Sequence, residues 1–365
     1  MPTVDEVPTP ALLLDLDALE ANLERMARRA ERLDVRLRPH VKTHKCLEVA
    51  RRQRRAGAAG ITVSTLAEAE VFARHGFDDL TWAFPVIPSR IGQAASVDDR
   101  ATLRLLVDRP EALTQLEAAG HPFHVWLEVD CGDGRSGVDP AGPALPELAG
   151  RLAASETLTF DGLLTHSGQA YDVDDPADLA EVAETERSVM VRAADRLRDR
   201  GIGVPALSVG STPATSRARS MEGVDEVRPG NYALFDRTQA ALGACSVEDV
   251  AVTVVATVVS TRPDAGRSVV DAGALALSKD PGPDDPDAPG GRSMGALRAP
   301  DGSLREDARL VSLSQEHGLL DAALPWGDRV RIVPNHACLA VACFDAFHVV
   351  RGDEVVDRWR IHRAR

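Results

Sequence analysis

Up to about residue 244 the chain alternates short apolar runs with amphipathic stretches. Pro10 to Leu16 is a compact apolar run that predicts a strand. Leu19, Leu23, Met26, Ala30 and Leu33 then recur at spacings of three and four, which predicts a helix over 17–33. Further strands are expected at 35–41, 60–64, 80–86, 103–107, 124–129, 158–165, 207–209 and from 226, each followed by a helical pattern. Local punctuation agrees with that reading. Thr65 is placed to cap a helix from Leu66 to His75 with Gly76 just past its end, and Pro110 opens a helix that Gly120 closes. About eight β/α units within about 230 residues is the size of a (β/α)8 barrel, with a doubly wound open sheet as the competing topology.

Beyond about residue 245 the pattern changes. Val250 to Ser260 is an almost unbroken β-branched run. Shorter apolar runs at 268–270, 310–313, 330–333, 347–350 and 355–361 follow it, with no long helical pattern between them. This predicts an all-β domain at 245–365 after a barrel at 1–244. The Pro- and Gly-rich stretch 279–306 reads as a long mobile loop, and no internal repeat is present.

With 365 residues, 39.0 kDa and 44% hydrophobic residues the chain can fill a full core. No apolar run reaches the roughly 18 residues a membrane span needs. The acidic start, Pro2-Thr3-Val4-Asp5-Glu6, lacks the apolar segment of a signal peptide, and five scattered cysteines do not form a disulfide scaffold, so a reduced, cytoplasmic protein is expected. The net charge of −14, with acidic clusters at Asp174-Asp175 and Asp284-Asp285, disfavours nucleic acid and anionic lipid as partners. Only three lysines occur; a salt-rich cytosol and a GC-rich genome both account for such scarcity.

Two of the three lysines, Lys42 and Lys45, fall with His40 and His44 in Arg38-Pro39-His40-Val41-Lys42-Thr43-His44-Lys45, at the expected tip of a strand. Lysine, unlike arginine, can lose its proton when crowded by cations and attack a carbonyl, so Lys42 is a candidate Schiff-base residue; a solvated basic strand end is the alternative. Chemistry in a barrel gathers at the C-terminal ends of its strands. There lie the 130–138 loop with Arg135, the stretch 165–171 with His166 and Tyr171, and the small turns Gly210-Ser211-Thr212 and Arg228-Pro229-Gly230-Asn231. Such turns can point N–H groups at a phosphate. A lysine together with a phosphate cradle suggests pyridoxal 5'-phosphate, which needs an amine and an anion site. In the β domain, Pro334-Asn335-His336-Ala337-Cys338 would put His336 and Cys338 on one side of a strand, a donor pair suited to zinc with open positions left over. A buried cysteine beside a hydrogen-bonded histidine is the alternative.

The stretch from Arg38 to Lys45 resembles the cofactor-lysine motif of the D-serine dehydratase and D-threonine aldolase family, pyridoxal-phosphate enzymes of the alanine-racemase fold type. Thr65 to Arg74, Asp133 to Val138, Gly210 to Thr215, Arg228 to Asp236, Asp271 to Gly273, Ser314 to Gly318 and Pro334 to Cys338 extend the resemblance over nearly the full length. It implies a barrel followed by a β domain, and a lyase for 3-hydroxy D-amino acids. It implies Lys42 as the Schiff-base and proton-transfer residue, and Arg135 near the cofactor's phenolic oxygen. Thr212, Gly230 and Asn231 become phosphate contacts, and Tyr171 and His166 neighbours of the pyridine ring. His336 and Cys338 become ligands of Zn2+ or another divalent metal. The cysteine favours D-serine dehydratase over aldolase chemistry on D-threonine or 3-hydroxy-D-aspartate. The family pattern also implies a homodimer. A racemase that uses a β-domain tyrosine is disfavoured, because the only tyrosines are Tyr171 and Tyr232. A non-catalytic pyridoxal-phosphate carrier is disfavoured by the extra domain. The preferred D-amino acid and the roles of Glu316 and His317 stay open.

Overall fold

The computed structural model describes residues 2–173, 175–283, 291–299 and 302–363. Asp174, Asp284 and Asp285 of the acidic clusters, and the middle of the expected 279–306 loop, lie outside them. The first strand, β1 (Ala11–Asp15), leads into the helix Leu16–Arg32, whose Leu19, Leu23, Met26 and Ala30 are buried as their spacing predicts.

From there strand and helix alternate. The strands are β2 (Arg36–Leu37), β3 (Ile61–Val63), β4 (Asp79–Pro85), β5 (Thr102–Val107), β6 (His124–Glu128), β7 (Thr159–Leu164), β8 (Leu207–Val209) and β9 (Glu226–Val227). All pair in parallel in chain order, and β2 pairs with β9. A parallel bridge between His40 and Thr62 joins the continuation of β2 to β3 and closes the ring, which decides for the barrel over the open sheet. The helix punctuation holds: Thr65 accepts from Glu68 N at 3.1 Å, and Gly120 ends the helix Pro110–Ala119 in the left-handed conformation.

The barrel is filled by ions as well as hydrocarbon. Near the strand starts, the buried Arg38 guanidinium binds Glu226 at 2.6 Å and both oxygens of Asp79 at 2.6 and 2.9 Å. Arg104 also contacts Asp79 and reaches Asp161 at 2.6 Å, and His124 completes the chain with Asp161 at 2.7 Å. Burial works against the charge on Arg38, but Glu226 and Asp79 outweigh it and hold the group firmly protonated. Gly162 marks a shift of register in β7 against β6. At its φ of +129° an added Cβ would lie 2.0 Å from the carbonyl oxygen of Ala206, so only glycine fits.

The remaining strands are β10 (Val252–Arg262), β11 (Arg267–Val270), β12 (Gly295–Arg298), β13 (Leu304–Leu313), β14 (Gly318–Leu320), β15 (Arg329–Pro334), β16 (Ala346–Arg351) and β17 (Glu354–Arg360). They form one sheet in the order β11-β14-β13-β12-β15-β10-β1-β16-β17, and a further pairing of β11 with β10 closes six of its strands into a ring. Two departures from the sequence reading have local causes. The β12 strand sits inside the stretch read as a loop, because its four residues carry too short an apolar run to stand out. The β1 strand pairs with β10 and β16 and not with the parallel barrel. Its Leu12, Leu13 and Leu14 are all buried, a pattern that suits an interior strand of either sheet. The two compact units are therefore discontinuous in the chain, unlike a division at 244/245. One comprises residues up to Glu24, Thr43–Val49 and Asn231–Arg363; the other comprises Arg25–Lys42 and Ala50–Gly230. Among the described residues no helix is long and apolar enough to cross a membrane.

Candidate active site

In the barrel unit, β2 ends at Leu37 and Lys42 lies just beyond it, in a single 3-10 turn, Val41–Thr43, and not on the strand itself. The Lys42 side chain is exposed. Two imidazoles flank it electrostatically. His40 is half-buried, and its pKa is pushed well below the ordinary value by desolvation first and then by Lys42, Arg228 and His166. His166, two residues past β7, is pushed down to about 3, again by burial first, then by Lys42 and Arg135. Its Nδ1 faces the carbonyl oxygen of Gly210 at 3.3 Å. Both rings are thus neutral at pH 7 and can hydrogen-bond near the amine without adding positive charge.

Arg228, one residue past β9, is buried and donates to Ser208 Oγ at 2.5 Å and to the carbonyl of Thr165. Arg135 stands on the 130–138 loop, where Asp130 accepts from Gly132 N and Gly134 N at 2.8 and 3.1 Å and a bridge between Val129 and Val138 closes the base. Its guanidinium is largely exposed, with Asp133 at 3.6 Å. Tyr171 ends a 3-10 turn, Gly168–Tyr171, and is 39% exposed.

The two glycine turns meet. Thr212 Oγ1 accepts from Gly230 N at 3.2 Å, which ties the turn after β8 to the turn after β9. Ser211 caps the short helix Thr212–Arg217, its hydroxyl accepting from Ala214 N at 3.4 Å. Gly210 has a φ of +117°, and a Cβ there would press to 3.1 Å on Arg228 N and on Thr215 Oγ1. Beneath this turn lies Glu186, fully buried, whose Oε1 accepts from Gly210 N at 2.8 Å. Burial raises its pKa to about 7, against the pull of the Gly210 N–H and of Arg228. Asn231, next along the chain, falls in the β unit, where its Nδ2 donates to Asp236 at 2.6 Å. An accessible lysine, neutral imidazoles, an arginine and two linked N–H turns in one barrel mouth match what pyridoxal phosphate requires.

In the β unit, His336 and Cys338 do come together, though not along a strand. The β15 strand stops at Pro334; His336 is the extended residue before the short helix Ala337–Val341, and Cys338 lies in its first turn. The two side chains are hydrogen-bonded to each other, and Cys338 Sγ reaches Thr43 Oγ1 at 3.3 Å. Thr43 follows Lys42 in the chain. The Nδ1 of His336 meets Asp280 Oδ2 at 2.9 Å. Burial opposes a charge on His336, but Asp280 and Cys338 overcome it and raise its pKa. A proton held between an imidazole and a sulfur sits where a cation can replace it. One nitrogen and one sulfur suit zinc. Among the described residues no group of three or more His, Cys, Asp or Glu side chains converges on a metal position. Glu316 and His317 lie on the exposed turn between β13 and β14.

The sequence reading missed Glu186 and Asp280. Glu186 had a signal: Leu179, Ala183, Met190, Ala193 and Leu197 form a buried helical stripe, and Glu186 occupies its vacant position. Asp280 had none, since it lies in a Pro- and Gly-rich loop with no periodicity.

Residues 14–238 match the family of the alanine racemase N-terminal domain, and residues 251–350 match a serine dehydratase domain. The D-threo-3-hydroxyaspartate dehydratase of Delftia sp. (strain HT23) is 40% identical over 97% of this chain and 97% of its own length. Its solved structure superposes with a TM-score of 0.93, covering 99% of both chains. A mutant of that enzyme has been solved in a metal-free form. The D-serine dehydratase of Dictyostelium discoideum is 32% identical over 97% of this chain and 96% of its own. The D-threonine aldolase of Arthrobacter sp. is 30% identical over 97% and 92%. An alanine racemase of Clostridium difficile, 15% identical with a TM-score of 0.69 over 97% of this chain and 98% of its own, shares the fold alone.

Proposed function

The chain belongs to the pyridoxal-phosphate family that joins an alanine-racemase-type barrel to a serine dehydratase domain, and on that premise we propose that it is a lyase that dehydrates 3-hydroxy D-amino acids. The observation that carries dehydration is the His336–Cys338 pair, an imidazole and a sulfur hydrogen-bonded to each other. Hydroxide is a poor leaving group, and a cation on those two donors would supply the Lewis acid that its departure needs. The substrates are D-threo-3-hydroxyaspartate and D-serine, which the relatives' names offer.

Pyridoxal 5'-phosphate supplies an aldehyde for amines and a sink for the electrons left when the α-proton departs. Lys42 would hold the aldehyde. The turns at Gly210–Thr212 and Gly230–Asn231 would take the phosphate, and Arg135 the phenolic side, with His166 and Tyr171 toward the ring. The Lys42 Nζ takes the substrate's α-proton. Zinc would be held by His336 and Cys338. A cytoplasmic homodimer belongs to the same reading; Trp326, 77% exposed, and Leu275, 57% exposed, are apolar side chains that a second copy could cover.

The test is a product assay on protein loaded with coenzyme and zinc. Oxaloacetate with ammonia from D-threo-3-hydroxyaspartate, or pyruvate with ammonia from D-serine, supports the proposal. Glycine and acetaldehyde from D-threonine, without either keto acid, would make the chain an aldolase. Interconversion of D- and L-amino acids with no cleavage would make it a racemase.

A further inference from the structure

We propose that Asp280 is a positioning residue for metal binding, orienting the His336 ring so that Nδ1–H points to its carboxylate and Nε2 is left to the cation. The inference rests on the reading of His336 and Cys338 as ligands.

The two carboxylate oxygens of Asp280 have separate tasks. Oδ2 meets His336 Nδ1 at 2.9 Å, and Oδ1 accepts from Gly282 N at 3.0 Å, which keeps the carboxylate from swinging. Asp280 is itself anchored by the residue before the histidine. Asn335 Nδ2 donates to the carbonyl of Asp280 at 3.0 Å and to that of Ser293 at 2.9 Å, while its Oδ1 accepts from Arg237 at 2.6 Å. The side chain of Asn335 is thereby engaged at both ends. One motif, Asn335-His336, places both the imidazole and the segment that carries the acid facing it. A neutral imidazole that donates one N–H to a carboxylate must present its lone pair on the other nitrogen, and the carboxylate makes that nitrogen a better donor.

A purely structural ion pair is the rival account. The His336 and Asp280 side chains are 38% and 29% exposed, and pairs so open to water add little to stability. The two accounts therefore diverge: the rival predicts no effect on metal affinity.

The experiment measures zinc affinity by competition with a chromophoric chelator, on the full-length coenzyme-loaded protein, for wild type, Asp280→Ala, Asp280→Asn and His336→Ala. Visible spectra of the cobalt(II) forms report the thiolate–metal bond independently of activity. Asp280→Ala is expected to weaken zinc binding by about 10- to 100-fold. Asp280→Asn, which keeps an acceptor for Nδ1–H, should fall between, with the thermal midpoint and coenzyme absorbance of all three unchanged. Zinc affinity of Asp280→Ala equal to wild type, where His336→Ala abolishes binding, would overturn the role of Asp280 alone. Affinity indifferent to His336→Ala would overturn the ligand reading, and this inference with it.

Discussion

Replacing Glu186 with glutamine tests the physical account of the phosphate turn. Glu186 lies on the helix Leu179–Arg198, fully buried, with one oxygen on Gly210 N at 2.8 Å. Three other ionisable or polar side chains face it: Arg228, which favours its charge; Cys131, whose own pKa the charge raises; and Ser167, which hydrogen-bonds to it. Burial wins, and the pKa stands at about 7 against an ordinary 4.5. Folding therefore takes up a proton between those two values. The stabilising contribution is complete below about pH 4.5 and is lost as pH rises to about 7. At about 1.36 kcal/mol per pH unit the loss is about 3 kcal/mol. Glutamine keeps an oxygen for Gly210 and offers its NH2 to Ser167, but it cannot ionise. Urea unfolding of both proteins from about pH 4.5 to about pH 8 should show wild type losing about 3 kcal/mol relative to Glu186→Gln up to about pH 7, then levelling off. A protonated-carboxyl infrared band that disappears over the same range in wild type only would assign the group. A pH-independent difference would refute the reasoning. A difference of opposite sign would mean that Arg228 dominates burial.

Other outcomes follow from the same geometry. Lys42→Ala should abolish the visible absorbance of lysine-bound coenzyme; absorbance that persists would transfer the role to Lys45. Exhaustive chelation should leave that absorbance intact and abolish keto-acid formation, with zinc restoring it; full activity in metal-free protein would remove the cation from the reaction. Arg38→Met leaves buried Glu226 without its direct ion-pair partner, and should cost about 3–5 kcal/mol in urea unfolding. The double variant Arg38→Met, Glu226→Leu should recover much of that loss, and no recovery would mean that Arg38 acts through Asp79.

The barrel was legible because β/α units advertise themselves. The strands from β3 to β8 are short and largely apolar, each is followed by a helix, and some of those helices carry a start or stop signal, as at Thr65 and Gly120. Lys42 draws attention for a different reason: it is one of three lysines in the chain and lies beside two histidines. The β1 strand could not be assigned, because Leu12-Leu13-Leu14 fits the centre of a parallel or an antiparallel sheet equally, and only pairing partners some 240 residues away decide between them. His336 and Cys338 were paired on a strand argument, yet they meet at the start of a helix. Two residues apart they would not face one another within a helix; they meet because His336 is still extended where the helix starts.

Several residues escaped because composition does not tell buried charge from exposed charge. Composition assigns Arg38, Glu226, Arg228 and Glu186 to the surface along with the rest of the −14, yet all four are buried. Arg38 and Glu226 neutralise one another directly near the strand starts. Toward the opposite ends, Arg228 has Glu186, Glu128 and Glu226 within electrostatic reach, while Lys42, Arg135 and Arg228 bear on two imidazoles that burial and those cations keep neutral. The Lys42 end thus gathers positive charge, as the proposed phosphate and carboxylate would require, and buried acids offset it. A net negative protein can in this way present a positive mouth to an anionic substrate, since the local sign is set by which charges the fold buries and not by the total.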